Sequence, residues 1–295
     1  MTSLKNIQQK IKTSTDLKSL VRIMKALAAS NIHQYTNAQK SFSEYFRTIE
    51  LGMQAVLQFG REKITLKEAN AQGPIGCILL TSDLGLCGQF NHQIFSFFQK
   101  KQEEWKIFDA HFPFLILGEE KKEMETNLHS AEKRLSYPIS IAGIPALLHE
   151  LLDAINQWIV QRDTHRIYLF YNKPTSANSY APYVQKLLPL DSLWFADLHT
   201  RKWNSRSLPQ FAIDSNVLFS ALLQEYFFLV LYQAIIDSYI SENVSRWQSM
   251  SIAEKHIADF TDDLKMQFHH QWQESITEEM LDIASGFEAL RKKNS

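Results

Sequence analysis

The stretch Ser82-Asp83-Leu84-Gly85-Leu86-Cys87-Gly88-Gln89-Phe90-Asn91 follows an apolar run and leads into HQIFSFFQKKQEEW. A glycine-bearing turn between a strand and a helix is where many proteins hold a phosphate. A P-loop needs G-x-x-x-x-G-K-[ST], with a lysine on the phosphates; here Gly88 is followed by Gln89 and Phe90. A dinucleotide fingerprint needs G-x-G-x-x-G, and only Gly85-x-x-Gly88 is present. The spacing favours a structural turn, in which the glycines permit a tight strand-to-helix reversal. Asn91 is placed to cap the following helix and Asp83 to do turn work. Cys87 stands near a helix N-terminus, a position that can activate a thiolate, and His92 is close to it, but no carboxylate completes a nucleophilic set. The pairs His269-His270, Asp262-Asp263 and Glu278-Glu279 read as the polar face of a helix. The only two cysteines, Cys77 and Cys87, form no C-x-x-C pair and cannot build a zinc site unaided. The expectation is therefore no catalytic constellation, no cofactor and no metal.

The elements that position this turn are of two kinds. From residue 3 to about 59 there is no proline, and Gly52 is the one glycine before Gly60. Apolar residues recur at three- and four-residue steps: Leu4, Ile7, Ile11, Leu17, Leu20, Met24, Leu27, Ile32, Tyr35 and onward to Val56. That is one amphipathic helix, roughly 80 Å if unbroken. From Asp214 to Leu290 proline is again missing and the heptad is cleaner. One seam reads Leu218, Glu225, Tyr232, Tyr239, Arg246, Ala253, Phe260; the other reads Leu222, Leu229, Ile236, Asn243, Met250, Ile257, Leu264. Such a pattern predicts a coiled coil, with the polar members fixing register. Residues 1–25 carry Lys5, Lys10, Lys12, Lys18, Arg22 and Lys25 against Asp16 alone, whereas 214–290 is acidic, with Arg246, Lys255 and Lys265 its only bases. A basic helix beside an acidic one favours an antiparallel pairing of the two ends.

Between the helices the texture changes. GPIGCILLTSD, HFPFLILGEE and HRIYLFYNK read as strands; NHQIFSFFQKKQEEW and IPALLHELLDAINQWIVQR read as helices, the second with Pro145 in its first turn. Strands alternating with helices predict βαβ units and a mainly parallel, Rossmann-like sheet. Pro174 to Pro209 reads as a turn-rich connection with room for one further strand. The predicted fold class is α/β with a long antiparallel two-helix coiled coil. Its segments are an N-terminal helix over 1–59, a central α/β domain over 73–209 and a C-terminal helix over 214–290. A hydrophobic content of 45% is enough for a core, and a net charge of −1 argues against a generic nucleic-acid binder. ALLQEYFFLVLYQAIIDSYI is interrupted by Gln224, Glu225, Gln233 and Asp237 and reads as a buried helix rather than a membrane span.

SDLGLCGQFN resembles the S-D-R-G-L-C-G-G-F-N motif of the gamma subunit of F-type ATP synthases. LKNIQQKIKTSTDLKSLVRIMKALAAS is similar to that family's L-x-x-I-x-x-R-I-x-S…T-x-A-M-K-x-V-A segment. DSYISENVSRWQSM and ESITEEMLDIASGFEAL resemble its S-x-x-S-E-x-x-x-R-x-x-A-M and I-T-x-E-I-x-E-I-x-x-G-x-x-A-L segments. The resemblance covers essentially the whole chain in order. Departures are Leu84 for the motif's Arg, Gln89 for a Gly, and Trp272 where Arg usually precedes Gln273. YFRTIELGMQAVLQ and GFEAL resemble a variant subgroup encoded by a second synthase operon in some bacteria and associated with sodium coupling. The resemblance implies a non-catalytic rotor in the central stalk. Its partners would be the alpha and beta subunits of the catalytic head, the epsilon subunit and the membrane ring of c subunits. Membrane contact would run only through the complex, at the cytoplasmic face of a bacterial inner membrane. Carried over residue by residue, the partner-interface positions are Met24, Lys25, Glu242, Arg246, Gln273, Ile276, Thr277 and Glu278. The motif turn is Asp83, Gly85, Cys87, Gly88 and Asn91. Glu242 and Arg246, four apart on one helix face, are placed to pair with each other or with a neighbour. The rival readings are a stand-alone nucleotide-binding α/β protein and a coiled-coil scaffold.

Overall fold

The computed structural model describes residues 2–60, 64, 73–105, 112–118, 131–138, 140–204 and 206–293. The side chains of 286–290, which include GFEAL, lie outside the described residues. The proline-free ends form helix α1, Thr2–Phe59, and helix α5, Ser215–Lys293. Between them come β1 (Ile75–Leu80), α2 (Phe90–Glu104), β2 (Phe114–Leu117), β3 (Lys133–Leu135), α3 (Ile144–Arg162), β4 (Arg166–Ser176), β5 (Ser179–Leu188) and α4 (Ser192–Thr200). Two compact units result, one of residues 1–28 with 247–295 and one of 29–246. The inner parts of both long helices thus belong with the sheet, whereas the sequence expectation assigned whole helices to segments of their own.

In the unit of residues 29–246 the strand order is β3-β2-β1-β4-β5. β1 pairs in parallel with β2 and with β4, β2 with β3 likewise, and β5 closes the edge antiparallel to β4. β1 and β2 are almost entirely buried, as expected of central parallel strands covered on both faces. Their side chains alternate. Cys77 and Leu79 pack with Phe98 of α2, while Ile78 and Leu80 pack with Leu148 and Leu151 of α3 and with Leu231 to Val244 of α5. A sheet with helices on both faces, entered on either side of β1, is doubly wound. α5 is apolar enough over 18 residues (mean hydropathy 1.5) to cross a bilayer by composition. Here that composition serves packing: Leu229, Leu231, Ile235, Ile236 and Ile240 are buried against α1 and the sheet.

The Pro174–Pro209 region is more ordered than a turn-rich connection. It holds the end of β4, all of β5 and α4. Pro182 sits on edge strand β5, the place in a sheet that tolerates a missing N–H. Asp191 caps α4, its carboxylate accepting from Leu193 N at 2.9 Å. Gln54 and Gln58 of α1 donate to Arg201 O at 2.8 and 2.7 Å, holding the end of α4 on α1. Gly52 lets α1 and α5 approach closely, since a Cβ there would lie 3.1 Å from Leu222. Rings stack across the same pair: Tyr35 on Tyr239 at 4.7 Å and Phe42 on Tyr232 at 3.7 Å.

In the unit of 1–28 and 247–295, α1 and α5 run antiparallel. Ser14 meets Thr261 (2.6 Å between hydroxyl oxygens), and Lys25 and Arg22 meet Glu254. The buried columns are Ile7, Ser14 and Ala28 on α1 and Met250, Thr261 and Leu264 on α5. Half of the expected seam therefore holds, and half shifts by one residue. Met250, Ile257 and Leu264 face α1, but the second column is Glu254–Thr261, not Ala253–Phe260, and Phe260 is 56% exposed. Leu17, Leu20 and Leu27 do not belong to the buried stripe either; with Ile23 they form an uncovered apolar face.

Candidate functional site

In a doubly wound sheet the ligand crevice lies beyond the C-terminal ends of the strands where the winding reverses. Here that place is the end of β1 and β4, where the motif turn begins. Leu86 (φ 62°) and Gly88 (φ 59°) take the left-handed conformation that tightens it. Gly85 does not, and a Cβ there would meet nothing within 4 Å. A less conspicuous glycine, Gly118 after β2, has φ 110° and lies against the Thr81 backbone.

The polar groups of the turn face inward. Asn91 does not cap α2, whose cap residue is Gln89. Its side chain instead reaches back, accepting from Ser82 N at 2.9 Å and donating to Ser82 Oγ at 3.2 Å. Asp83 accepts from Tyr137 N at 2.7 Å, tying the turn to the approach to α3. The Cys87 thiol is buried 3.2 Å from Ser82 Oγ, so it is a packed group and not an accessible nucleophile.

α5 occupies the crevice. Ser245 Oγ donates to Cys87 O at 2.6 Å and itself accepts from Tyr180 OH of β5 at 2.9 Å. Arg246 Nη2 donates to Leu84 O at 3.1 Å and to Glu242 Oε1 at 2.6 Å. Ser241 Oγ donates to Asn172 O of β4, just past the stretch that pairs with β1, and Asn172 Nδ2 donates to Phe90 O at the start of α2. Glu242, Ser245 and Arg246 share one helix face at i, i+3 and i+4. The polarity is the reverse of a phosphate cradle: the turn offers carbonyl acceptors, and α5 supplies the donors and the one cation. Among the described residues no cluster of His, Cys, Asp or Glu could hold a metal.

The two motifs singled out in the sequence thus meet. The Glu242–Arg246 pair is buried, with side chains 7% and 10% exposed. Burial pushes the Glu242 carboxyl up, Arg246 pulls it down, and Asp83 adds a smaller upward push. These two carried-over positions pair with each other inside the chain, the first of the two arrangements that their spacing allows. Ser245 and Tyr180 complete the site; the i, i+3, i+4 spacing points to Ser245, and no local sequence signal points to Tyr180.

The other carried-over residues fall in the unit of 1–28 and 247–295. Lys25 is bound to Glu254 at 2.9 Å, beside Arg22 at 2.7 Å. Hydrogen bonds from Arg22 and then Lys25 hold the Glu254 carboxyl down at about 2. Met24 is half-buried. Gln273, Ile276, Thr277 and Glu278 are exposed on α5, as are Trp272, Met280, Leu281 and Ile283.

The ATP synthase family model matches residues 3–290. The ATP synthase gamma chain of Pasteurella multocida (strain Pm70) is 26% identical over 98% of this chain and all of its own length. That of Nostoc sp. (strain PCC 7120 / SAG 25.82 / UTEX 2576) is also 26% identical, over 98% of this chain and all of its own. Among solved structures, a chain of the Euglena gracilis mitochondrial ATP synthase OSCP/F1/c-ring complex aligns with a TM-score of 0.68, at 13% identity over 99% of this chain and 96% of that one. A chain of the rotor from the same enzyme aligns at 0.65, with 12% identity over 93% and 99%. At such identities the structural matches speak to the fold; the family match, spanning nearly every residue, settles descent. The chain belongs to the gamma-chain family of the ATP synthases.

Proposed function

We infer that this chain is the central-stalk rotor subunit of a membrane-associated ATP synthase and is not itself catalytic. The observation that carries the reading is the family match over 3–290, which includes both helical ends and the turn. The site agrees with it, because α5 fills the crevice where an α/β enzyme of this winding would hold its substrate. Nucleotide chemistry then belongs to the head of alpha and beta subunits, and the chain's contribution is to contact equivalent catalytic sites differently as it turns. Only such differential interaction can shift their conformations.

The uncovered apolar faces supply candidate contacts. Leu17, Leu20, Ile23 and Leu27 are 48–58% exposed on α1, and Met280, Leu281 and Ile283 are exposed on α5. A contiguous apolar helix face calls for an apolar partner surface, and the head is the partner we assign to it. Met24, Gln273, Ile276, Thr277 and Glu278 flank these faces and are proposed to contact the head as well. The c-subunit ring and the epsilon subunit are proposed for the unit that holds the sheet. The setting we propose is the cytoplasmic face of a bacterial inner membrane, peripheral and through the complex.

Affinity isolation of the tagged chain from native membranes tests the reading. Co-isolation with alpha and beta subunits in a three-plus-three head and with the ring subunit is the expected result. Recovery of the chain without them, hydrolysing ATP by itself, would establish the enzyme reading instead.

A further inference from the structure

In the unit of residues 29–246, α5 carries into the core a carboxyl group that the turn does not use. Asp237 is 1% exposed. Its Oδ1 accepts from Gln39 Nε2 of α1 at 2.6 Å, and its Oδ2 is buried without a hydrogen-bond partner among the described residues. From β4 it is faced by Lys173 and Tyr171. The Lys173 ammonium lies 4.8 Å over the ring of Tyr183 on β5, so its charge is shared with an aromatic face. Tyr171 meets Tyr183 edge-on at 5.5 Å and donates its hydroxyl to Gln185. From α1 the facing group, Gln39, is neutral. An ionised carboxylate offers about four acceptor positions, and here a single hydrogen bond serves them. A buried charge so thinly compensated is costly. A proton on Oδ2 removes the charge and leaves the Gln39 bond intact, because Oδ1 remains an acceptor.

We infer that Asp237 is a proton-operated clamp between α1 and α5, slack while the carboxylate is charged and tight once it is neutral. The direction follows from linkage. Burial pushes the carboxyl up to about 6, against the pull of Lys173 and Gln39, while an opened state exposes it with its ordinary value of 3.8. Between those values the closed state binds more protons than the open one, so closure strengthens as pH falls from 7 towards 4. Acidification would thus stiffen the inner pairing of the long helices on β4.

Hydrogen exchange of the full chain in its assembled complex, followed by mass spectrometry between pH 7.5 and 5.5 and corrected for intrinsic chemistry, tests this. Protection of 35–46 and 229–243 should rise about fourfold over that interval, driven by a protonation of the closed state whose midpoint lies near 6. Asp237→Asn should remove the pH response and be protected at pH 7.5 at least as well as the wild type at pH 5.5. Lys173→Met, which leaves the carboxyl in place and removes its cation, should move the midpoint upward. Protection that does not change with pH in the wild type, or an equal response in Asp237→Asn, or an unmoved midpoint in Lys173→Met, would overturn the clamp.

Discussion

Arg246 divides its guanidinium between a carbonyl of the turn and the Glu242 carboxylate, and both bonds are shielded from water. Removing one partner of such a pair strands the other, which typically costs about 3–5 kcal/mol. Arg246→Met and Glu242→Gln should each lower stability to urea by that order, since each leaves a buried charge unpaired. The Arg246→Met loss should shrink on acidification and the Glu242→Gln loss should not, because a stranded carboxylate takes up a proton and a stranded guanidinium cannot shed one. Losses well below ~1 kcal/mol for both would mean that the pair acts only by packing. The glycines separate in the same way. Gly118→Ala places a Cβ 2.9 Å from the Thr81 backbone at φ 110° and should be severely destabilising, while Gly85→Ala points into open space and should change stability by less than about 0.5 kcal/mol. In the sequence Gly85 and Gly88 looked equivalent. What separates them is a positive φ, and Leu86 takes one without being glycine, so residue type alone misassigned the strain. Asn91 misled for a related reason. Asparagine ahead of a helical run suits a cap, but here the better bargain was to hold the Ser82 backbone inside the turn.

At the scale of elements, existence and order of the main helices and strands were legible because period 3.6 and buried apolar runs are strong signals. The coiled-coil seam was half legible for a geometric reason. A column of Met250, Ile257 and Leu264 can be joined by a second column on either side, and apolar Phe260 made the wrong side look better than Thr261. Ser14 and Glu254 decided it, through pairings invisible within one segment. The two registers differ in their mutants. Leu264→Ala should cost about 2–4 kcal/mol of pairing stability and Phe260→Ala close to nothing, as read by thermal unfolding. A Ser14→Cys/Thr261→Cys pair should oxidise to a disulfide, and Leu17→Cys/Phe260→Cys should not. The Glu254 bridge adds a pH signature. Its carboxyl is held at about 2, below its ordinary value of 4.5, so its contribution is complete above 4.5 and is lost as pH falls towards 2. Pairing of the two ends should thus be indifferent to pH between 7 and 5, and Glu254→Gln should flatten the response below 4.5. β5 was legible only as room for one further strand, and α4 not at all, because Pro174, Pro182 and Pro209 signal turns, and an edge strand accepts proline where a central strand does not.

For the whole molecule, filling a ligand crevice with one's own helix leaves mechanical rather than chemical work, and the apolar faces of α1 and α5 mark where a surrounding partner is needed. A rotor must be free relative to the head but need not flex within its own paired ends. A disulfide between Ser14→Cys and Thr261→Cys joins two segments of the same unit, so it should leave both ATP hydrolysis and coupled ion movement in the assembled complex unchanged. A bond of equal strength from Leu27→Cys, 58% exposed on α1, to a cysteine introduced on the facing head subunit should arrest both activities, and reduction should restore them. The comparison isolates rotation, since each variant carries one disulfide and neither bond touches a nucleotide site. Full turnover by the head-tethered complex would exclude rotation of this chain against the head, and arrest by the internal staple would show that the paired ends move past each other during the cycle. Arrest by the tether alone is the outcome that a rigid, turning α1–α5 pair demands.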